Sequence, residues 1–315
     1  MRNFTSIKDV RDLNALIDAA RSSKIPGLLQ KKQGEGKTLG LIFMNPSLRT
    51  RLSTQKAGIN LGMDVMVMNF SGEGWALETK KGVVMDGDKA EHIIEAAGVL
   101  GEYCDIIGLR SFPGLVDREA DYSEEILTNL IEYSGVPIIS LESATRHPLQ
   151  SLADMVTIEE FKKVSKPKVV MSWAPHPRAL PQSVPNSFVE WASKMDYELV
   201  VTHPEGYELS ESFMSGVRIE YDQDKALEGA DFVYVKNWSS YKQYGKILTA
   251  GSDWMISESK LRNSGDAKVM HCLPVRRNVV IADDILDSSR SIVVEEAGNR
   301  VCAAQAVITE ILKSL

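Results

Sequence analysis

Short β-branched runs alternate with segments of helical period along almost the whole chain, and this alternation commits it to βα units around parallel sheets. In the first half the runs lie at 38–44, 65–70, 105–109 and 137–141. In the second they lie at 168–173, 199–202, 217–221, 232–236, 268–270 and 291–294. The spacing predicts a helix over 7–20, with Leu13, Leu16, Ile17 and Ala20 on one face and Ser6 and Asp9 as a capping pair. Another is predicted over 91–103 through Ile93, Ala96, Ala97 and Leu100. A third opens at Pro148, well placed at a first helical position, and buries Leu149, Leu152, Ala153 and Val156. A last amphipathic helix over 298–315 runs through Ala303, Ala304, Val307, Ile308, Ile311 and Leu312. With 315 residues, the chain is long enough for two cores, so the expected fold is α/β with two open, doubly wound parallel-sheet domains joined by helices.

Composition narrows what such a fold can bind. A net charge of -7 supplies no basic field for nucleic acid or an anionic membrane, so an anionic small substrate needs a local cluster of cations. The three cysteines, Cys104, Cys272 and Cys302, are odd in number and scattered, which fits a reducing cytoplasm rather than a disulfide framework. The first residues hold no apolar leader, and no apolar run approaches the roughly 18 residues of a membrane span.

In open parallel sheets, ligands bind beyond the carboxyl ends of the strands. After the first run comes Asn45-Pro46-Ser47-Leu48-Arg49-Thr50-Arg51, turn residues leading into a helix whose first turn carries hydroxyls and guanidinium groups. Free backbone N–H groups, the helix dipole and bidentate arginines make that segment a phosphate site. Arg110 follows the third run, and Glu142, His147 and Gln150 follow the fourth. In the second half, His176 and Arg178, then Lys236, then His271-Cys272-Leu273-Pro274-Val275-Arg276-Arg277 occupy the equivalent places. Other motifs fail. Gly34-Glu35-Gly36-Lys37-Thr38 ends like a P-loop, but Lys31 stands where Gly is required and the segment precedes a strand. No Gly-x-Gly-x-x-Gly follows the first run, which weakens a nicotinamide dehydrogenase reading argued from the βα pattern alone. His92, His147, His176, His203 and His271 show no metal spacing, and Cys272 has no identifiable base, so neither a metal nor a cofactor is expected.

Ser47-Leu48-Arg49-Thr50-Arg51 resembles the Ser-x-Arg-Thr-Arg carbamoyl phosphate motif of the aspartate and ornithine carbamoyltransferases. His147-Pro148-Leu149-Gln150 resembles their His-Pro-x-Gln, and His271-Cys272-Leu273-Pro274 the ornithine branch's His-Cys-Leu-Pro. The resemblance implies a carbamoyl phosphate domain over 1–146, an amino-acid domain over 147–297 and a final helix, 298–315, packing back on the first. It also implies a homotrimer with sites at subunit interfaces. By the same resemblance, Ser47, Leu48, Arg49, Thr50, Trp75, Arg110, His147, Gln150, Cys272, Leu273 and Arg300 bind carbamoyl phosphate. Arg49, Thr50, Arg110 and His147 polarise its carbonyl, while Gln150 and the carbonyls of Cys272 and Leu273 orient its amide.

One departure is informative. Ordinary ornithine enzymes hold the amino-acid head with Asp-x-x-x-Ser-Met-Gly, whereas this chain reads Asp231-Phe232-Val233-Tyr234-Val235-Lys236-Asn237-Trp238. Lys236 and the run after it resemble the N-acylornithine branch, in which acylation removes the α-ammonium and leaves carboxylates to neutralise. The expected ligands of that substrate are Glu142, His176, Arg178, Lys236, Leu273, Arg276 and Ala90. At the last position the resembling succinyl enzymes have Pro and the acetyl enzymes Glu; Ala90 removes the charge that would repel a succinyl carboxylate. N-succinylornithine is therefore the expected substrate, with N-acetylornithine, free ornithine and a non-catalytic ligand-binding homologue as the alternatives.

Overall fold

The computed structural model describes residues 1–24, 33–249 and 251–315, and Lys31 lies outside them. The chain divides into two compact units. Met1–Gly114, Glu119–Leu149 and Arg300–Leu315 make the first; Leu115–Arg118 and Gln150–Asn299 make the second.

The strands of the first unit are β1 (Thr38–Phe43), β2 (Asp64–Asn69), β3 (Leu77–Glu78), β4 (Glu91–His92), β5 (Ile106–Arg110) and β6 (Ile138–Glu142). Four of them form a parallel sheet in the order β2-β1-β5-β6, and β3 and β4 pair separately. The inner strands are buried along nearly their whole length, as continuous apolar runs require when helices cover both faces. Phe4 closes the β6 edge: its N–H donates to the Ile138 carbonyl at 2.9 Å, and its carbonyl accepts from Ser140 at 2.8 Å. Ile42, Ile93, Ala97, Ile107, Leu109, Leu127 and Leu130 form a core under the helices Ile93–Tyr103 and Glu125–Tyr133.

The second unit holds β7 (Lys168–Trp173), β8 (Glu198–Thr202), β9 (Arg218–Glu220), β10 (Phe232–Lys236) and β11 (Lys268–Met270). They are parallel throughout, in the order β11-β10-β7-β8-β9. The α/β class and both open parallel sheets agree with the sequence reading.

Several local expectations are corrected. The region 7–20 splits into a 3-10 turn, Ile7–Asp9, and a helix, Leu13–Ser22. The Ser6 and Asp9 capping box closes only the turn, and Asp12 starts the helix by accepting the Ala15 N–H at 3.0 Å. Residues 91 and 92 pair as β4, so the next helix begins at Ile93. The run 291–294 is not a strand. Ser291 makes a single bridge to Val269, and the terminal helix Val293–Leu312 then starts with Glu295 and Glu296 in its first turn, where its dipole favours acidic groups. Among the described residues, no helix is long and apolar enough to cross a membrane, and no group of His, Cys, Asp and Glu could hold a metal ion.

Strand order decides where each unit can bind. In the first sheet the chain moves from β1 to β2, then crosses to the other side of β1, so the direction reverses between β1 and β5, where Phe43 and Arg110 are partners. In the second it reverses between β7 and β10, where Trp173 and Lys236 are partners. Such reversals open a crevice at the carboxyl ends of the strands.

Two glycines of one helix test the packing. A Cβ on Gly101 would lie 1.8 Å from the Ser134 carbonyl oxygen, whereas one on Gly98 meets nothing within 4 Å. Gly101→Ala is expected to cost about 2 kcal/mol or more in denaturant unfolding. Gly98→Ala is expected to stabilise by up to ~1 kcal/mol through helix propensity. Equal effects would contradict the close approach.

Candidate active site

Ser47 is the N-cap of the helix Leu48–Asn60: its backbone is extended, and its hydroxyl accepts from the Thr50 N–H at 3.4 Å. The N-terminus of that helix therefore points out of the β1 turn at the strand-order reversal. Leu48 is exposed and Arg49 half-buried, while Thr50 is buried and its hydroxyl oxygen accepts from Arg300 Nη2 at 2.6 Å. The terminal helix thus adds a guanidinium to the same helix end. A phosphate there would meet backbone N–H groups, hydroxyls and arginines together.

Arg110 and Glu142 are the last residues of β5 and β6 rather than the residues after them, and both are buried. They form a buried ion pair, with His147 Nε2 3.5 Å from the same Glu142 oxygen. The Arg110 guanidinium also stacks over Phe112, 4.2 Å from the ring centroid. Glu142, expected on the amino-acid side, faces Arg110 and His147 within the first unit. Trp75 follows the short helix Phe70–Glu73. It is 57% exposed, and its Nε1 donates to Glu91 at 2.9 Å. Ala90 is exposed nearby in sequence, with its N–H on the Ala76 carbonyl at 3.3 Å.

In the second unit, Lys236 ends β10 and is buried, its Nζ donating to the Asn237 carbonyl at 3.2 Å. Half-buried His176 accepts from Arg276 Nε at 3.1 Å through Nε2, and its Nδ1 lies 2.9 Å from the Arg178 carbonyl. Because a guanidinium is only a donor, Nε2 is the acceptor in that contact, while Nδ1 lies close to both the carbonyl and, at 3.1 Å, the N–H of Arg178. Burial, and then the charges of Lys236, Arg276 and Arg178, hold the His176 pKa below its ordinary value. Neighbouring Arg277 is committed elsewhere, to Asp283 at 2.9 Å and Asp287 at 2.6 Å.

The loop after β11 carries Leu273 with φ 56, a left-handed conformation that costs a side-chain-bearing residue of order 1 kcal/mol or more. His271 Nδ1 holds it there by accepting the Leu273 N–H at 2.8 Å. Cys272 is buried beside it. Two acidic residues that sequence reading missed lie in this unit. Gln150 Nε2 donates to Asp154 at 2.7 Å and to Glu296 at 3.2 Å, and Glu296 also accepts the His271 N–H at 2.8 Å. The only signal for Asp154 was its spacing of four from Gln150 on one helix; nothing marked Glu296.

Comparison with known proteins places this geometry. Residues 2–160 match the aspartate/ornithine carbamoyltransferase carbamoyl-P binding domain, and residues 181–311 the Asp/Orn binding domain. The chain belongs to the aspartate/ornithine carbamoyltransferase family. It is 52% identical over 317 residues to the N-succinylornithine carbamoyltransferase of Bacteroides thetaiotaomicron, covering all of both chains. It is 33% identical to the N-acetylornithine carbamoyltransferase of Xylella fastidiosa, covering 98% of each. Among solved structures, a glutamate-to-alanine variant of an N-acetyl-L-ornithine transcarbamylase, complexed with carbamyl phosphate and N-succinyl-L-norvaline, superposes with a TM-score of 0.93 at 33% identity, over 99% of this chain and 100% of that one. The family expected from the three motifs is thus the family found.

The His176 arrangement is testable by NMR titration. Its midpoint is expected below 6.5 in the unliganded protein, because burial disfavours the charged ring and protonation would abolish the acceptor for Arg276 amid three cations. Arg276→Met is expected to raise it. A midpoint at or above 6.5 that ignores the substitution would contradict the placement of His176 against Arg276.

Proposed function

We propose that the protein transfers the carbamoyl group of carbamoyl phosphate to the side-chain amine of N-succinylornithine, giving N-succinylcitrulline and phosphate. The observation that carries this reading is that the two strand-order reversals carry different groups: the hydroxyls of Ser47 and Thr50 with the cations Arg49, Arg110 and Arg300 in the first unit, and the cations Lys236 and Arg276 beside His176 in the second. The first suits a compact phosphate and the second carboxylates.

In the first set, the helix N-terminus, Arg49, Arg110 and Arg300 neutralise the phosphate. Arg49, Thr50, Arg110 and His147 stabilise the charge that develops on the carbamoyl oxygen. Gln150 and the carbonyls of Cys272 and Leu273 hold the carbamoyl N–H groups. The neutral amine attacks the carbonyl carbon and a C–N bond forms, while the bond from that carbon to the oxygen bridging to phosphorus breaks; phosphate leaves with the electron pair and takes up the proton that the new C–N nitrogen sheds. An alkylammonium has a pKa of ~10.4 in water, so it must lose a proton before attack.

The acyl assignment rests on Lys236 and Ala90. Lys236 offers a buried cation to a carboxylate, and alanine at 90 places no charge where a glutamate would repel the succinyl group. The similar acetylornithine enzyme, crystallised with an N-succinyl ligand after loss of a glutamate, supports this reading. We propose a homotrimer in which exposed Trp75 serves a neighbouring copy's site, and a cytoplasmic location in keeping with three scattered, buried cysteines.

With saturating carbamoyl phosphate, ureido-product formation is expected to give the highest kcat/KM for N-succinylornithine, less for N-acetylornithine and least for ornithine. Acetyl preference would overturn the acyl assignment, and no product from any amine would overturn carbamoyl transfer.

A further inference from the structure

We infer that Asp154 and Glu296 are positioning residues that lock the Gln150 carboxamide in one orientation, with Glu296 tying that carboxamide to the His271–Leu273 loop. The inference rests on the carbamoyl-transfer reading, in which Gln150 and that loop hold the carbamoyl amide.

Gln150, Asp154 and Glu296 are all 0% exposed. Removing two carboxyl groups from water is costly, and hydrophobic residues of similar size would fill the space more cheaply. Both meet the same atom. Gln150 Nε2 donates to Asp154 Oδ1 at 2.7 Å and to Glu296 Oε1 at 3.2 Å. An amide nitrogen has two hydrogens, so these contacts use both of them. Carboxylate oxygens accept, and turning the carboxamide over would set its carbonyl oxygen against two acceptors. The pair therefore forbids the flip that an isolated glutamine makes freely. With its nitrogen held on the carboxylate side, the carboxamide turns its carbonyl oxygen the other way, as an acceptor for a carbamoyl N–H.

Glu296 does a second thing. Its other oxygen accepts the His271 N–H at 2.8 Å, and the His271 ring in turn holds the Leu273 N–H at 2.8 Å. One carboxylate thus sets the relation between Gln150 and the loop whose Cys272 and Leu273 carbonyls would face the same amide. Helix geometry helps: Gln150 and Asp154 are four apart in the helix Pro148–Phe161, on one face, and Glu296 is in the first turn of Val293–Leu312. Tyr234 is packed near the pair, and burial followed by the Asp154 charge keeps its phenol protonated.

A double-mutant cycle on the full-length enzyme tests this. Glu296→Gln keeps the shape but presents an amide nitrogen to one of the two donors it now accepts. It is expected to lower kcat about 100-fold, the scale of a misplacement near 1 Å, with the acylornithine KM little changed. In a Gln150→Ala background, Glu296→Gln is expected to lower kcat little further, because the group it positions is already gone. The same fold-loss in both backgrounds would overturn the inference, as would parallel changes in kcat and KM. An unsubstituted enzyme that forms no ureido product would instead overturn the carbamoyl-transfer reading. Should Glu296→Gln fail to fold, Asp154→Asn enters the same cycle. In the unsubstituted protein, the Gln150 side-chain amide protons, assigned by their loss in Gln150→Ala, are expected to exchange with solvent slowly. Exchange as fast as that of a surface glutamine would overturn the lock.

Discussion

An anion held out of water must be neutralised on the spot, and in a chain whose net charge is -7 the cations that do so have to be gathered by the fold. Two parallel sheets with reversed strand order do the gathering. Between β1 and β5 the reversal opens above a helix N-terminus capped by Ser47, with Arg110 on the adjoining strand end. Between β7 and β10 it opens beside Lys236 and the segment carrying His176. Parallel strands bring every one of these residues to the same end of its sheet, so the chemistry depends on the sheet topology before it depends on any single side chain.

Within that frame, neighbouring charges decide which form each group takes. Arg110 is paired with Glu142 and stacked on Phe112, which fixes the guanidinium plane instead of leaving it in solvent. His176 accepts from Arg276, and burial, followed by the charges of three cations, holds its pKa below the ordinary value. Lys236, Arg276 and Arg178 thus all act on one half-buried ring.

The fold was legible where local pattern and burial coincide. The bounds of β7, β10 and β11 were read from sequence because each is a buried apolar run ended by a turn. The run 291–294 deceived because its β-branched residues suit a strand, whereas only Ser291 finds a bridge before the helix takes over. The helix start at Ser47, where phosphate is proposed to bind, was legible from consecutive residues. Arg276 and Arg277 look alike in the residues themselves and only the resemblance singled out Arg276; the positions of Asp283 and Asp287 commit Arg277 to a surface ion pair. Asp154 and Glu296 were invisible for a related reason. An acidic residue reads as solvated until the fold shows the amide it meets, and Glu296 lies 146 positions from Gln150.

The most direct test of the central claim, that each strand-order reversal holds one reactant, is a crystal structure with carbamoyl phosphate and N-succinyl-L-norvaline, which lacks the attacking amine. The account predicts phosphate at the helix N-terminus after Ser47, contacted by Arg49, Arg110 and Arg300. It predicts the norvaline and succinyl carboxylates on Lys236 and the His176–Arg276 pair, with Trp75 of a neighbouring copy against the ligand. A succinyl ligand seated away from those cations, or phosphate bound elsewhere than at that helix end, would contradict it.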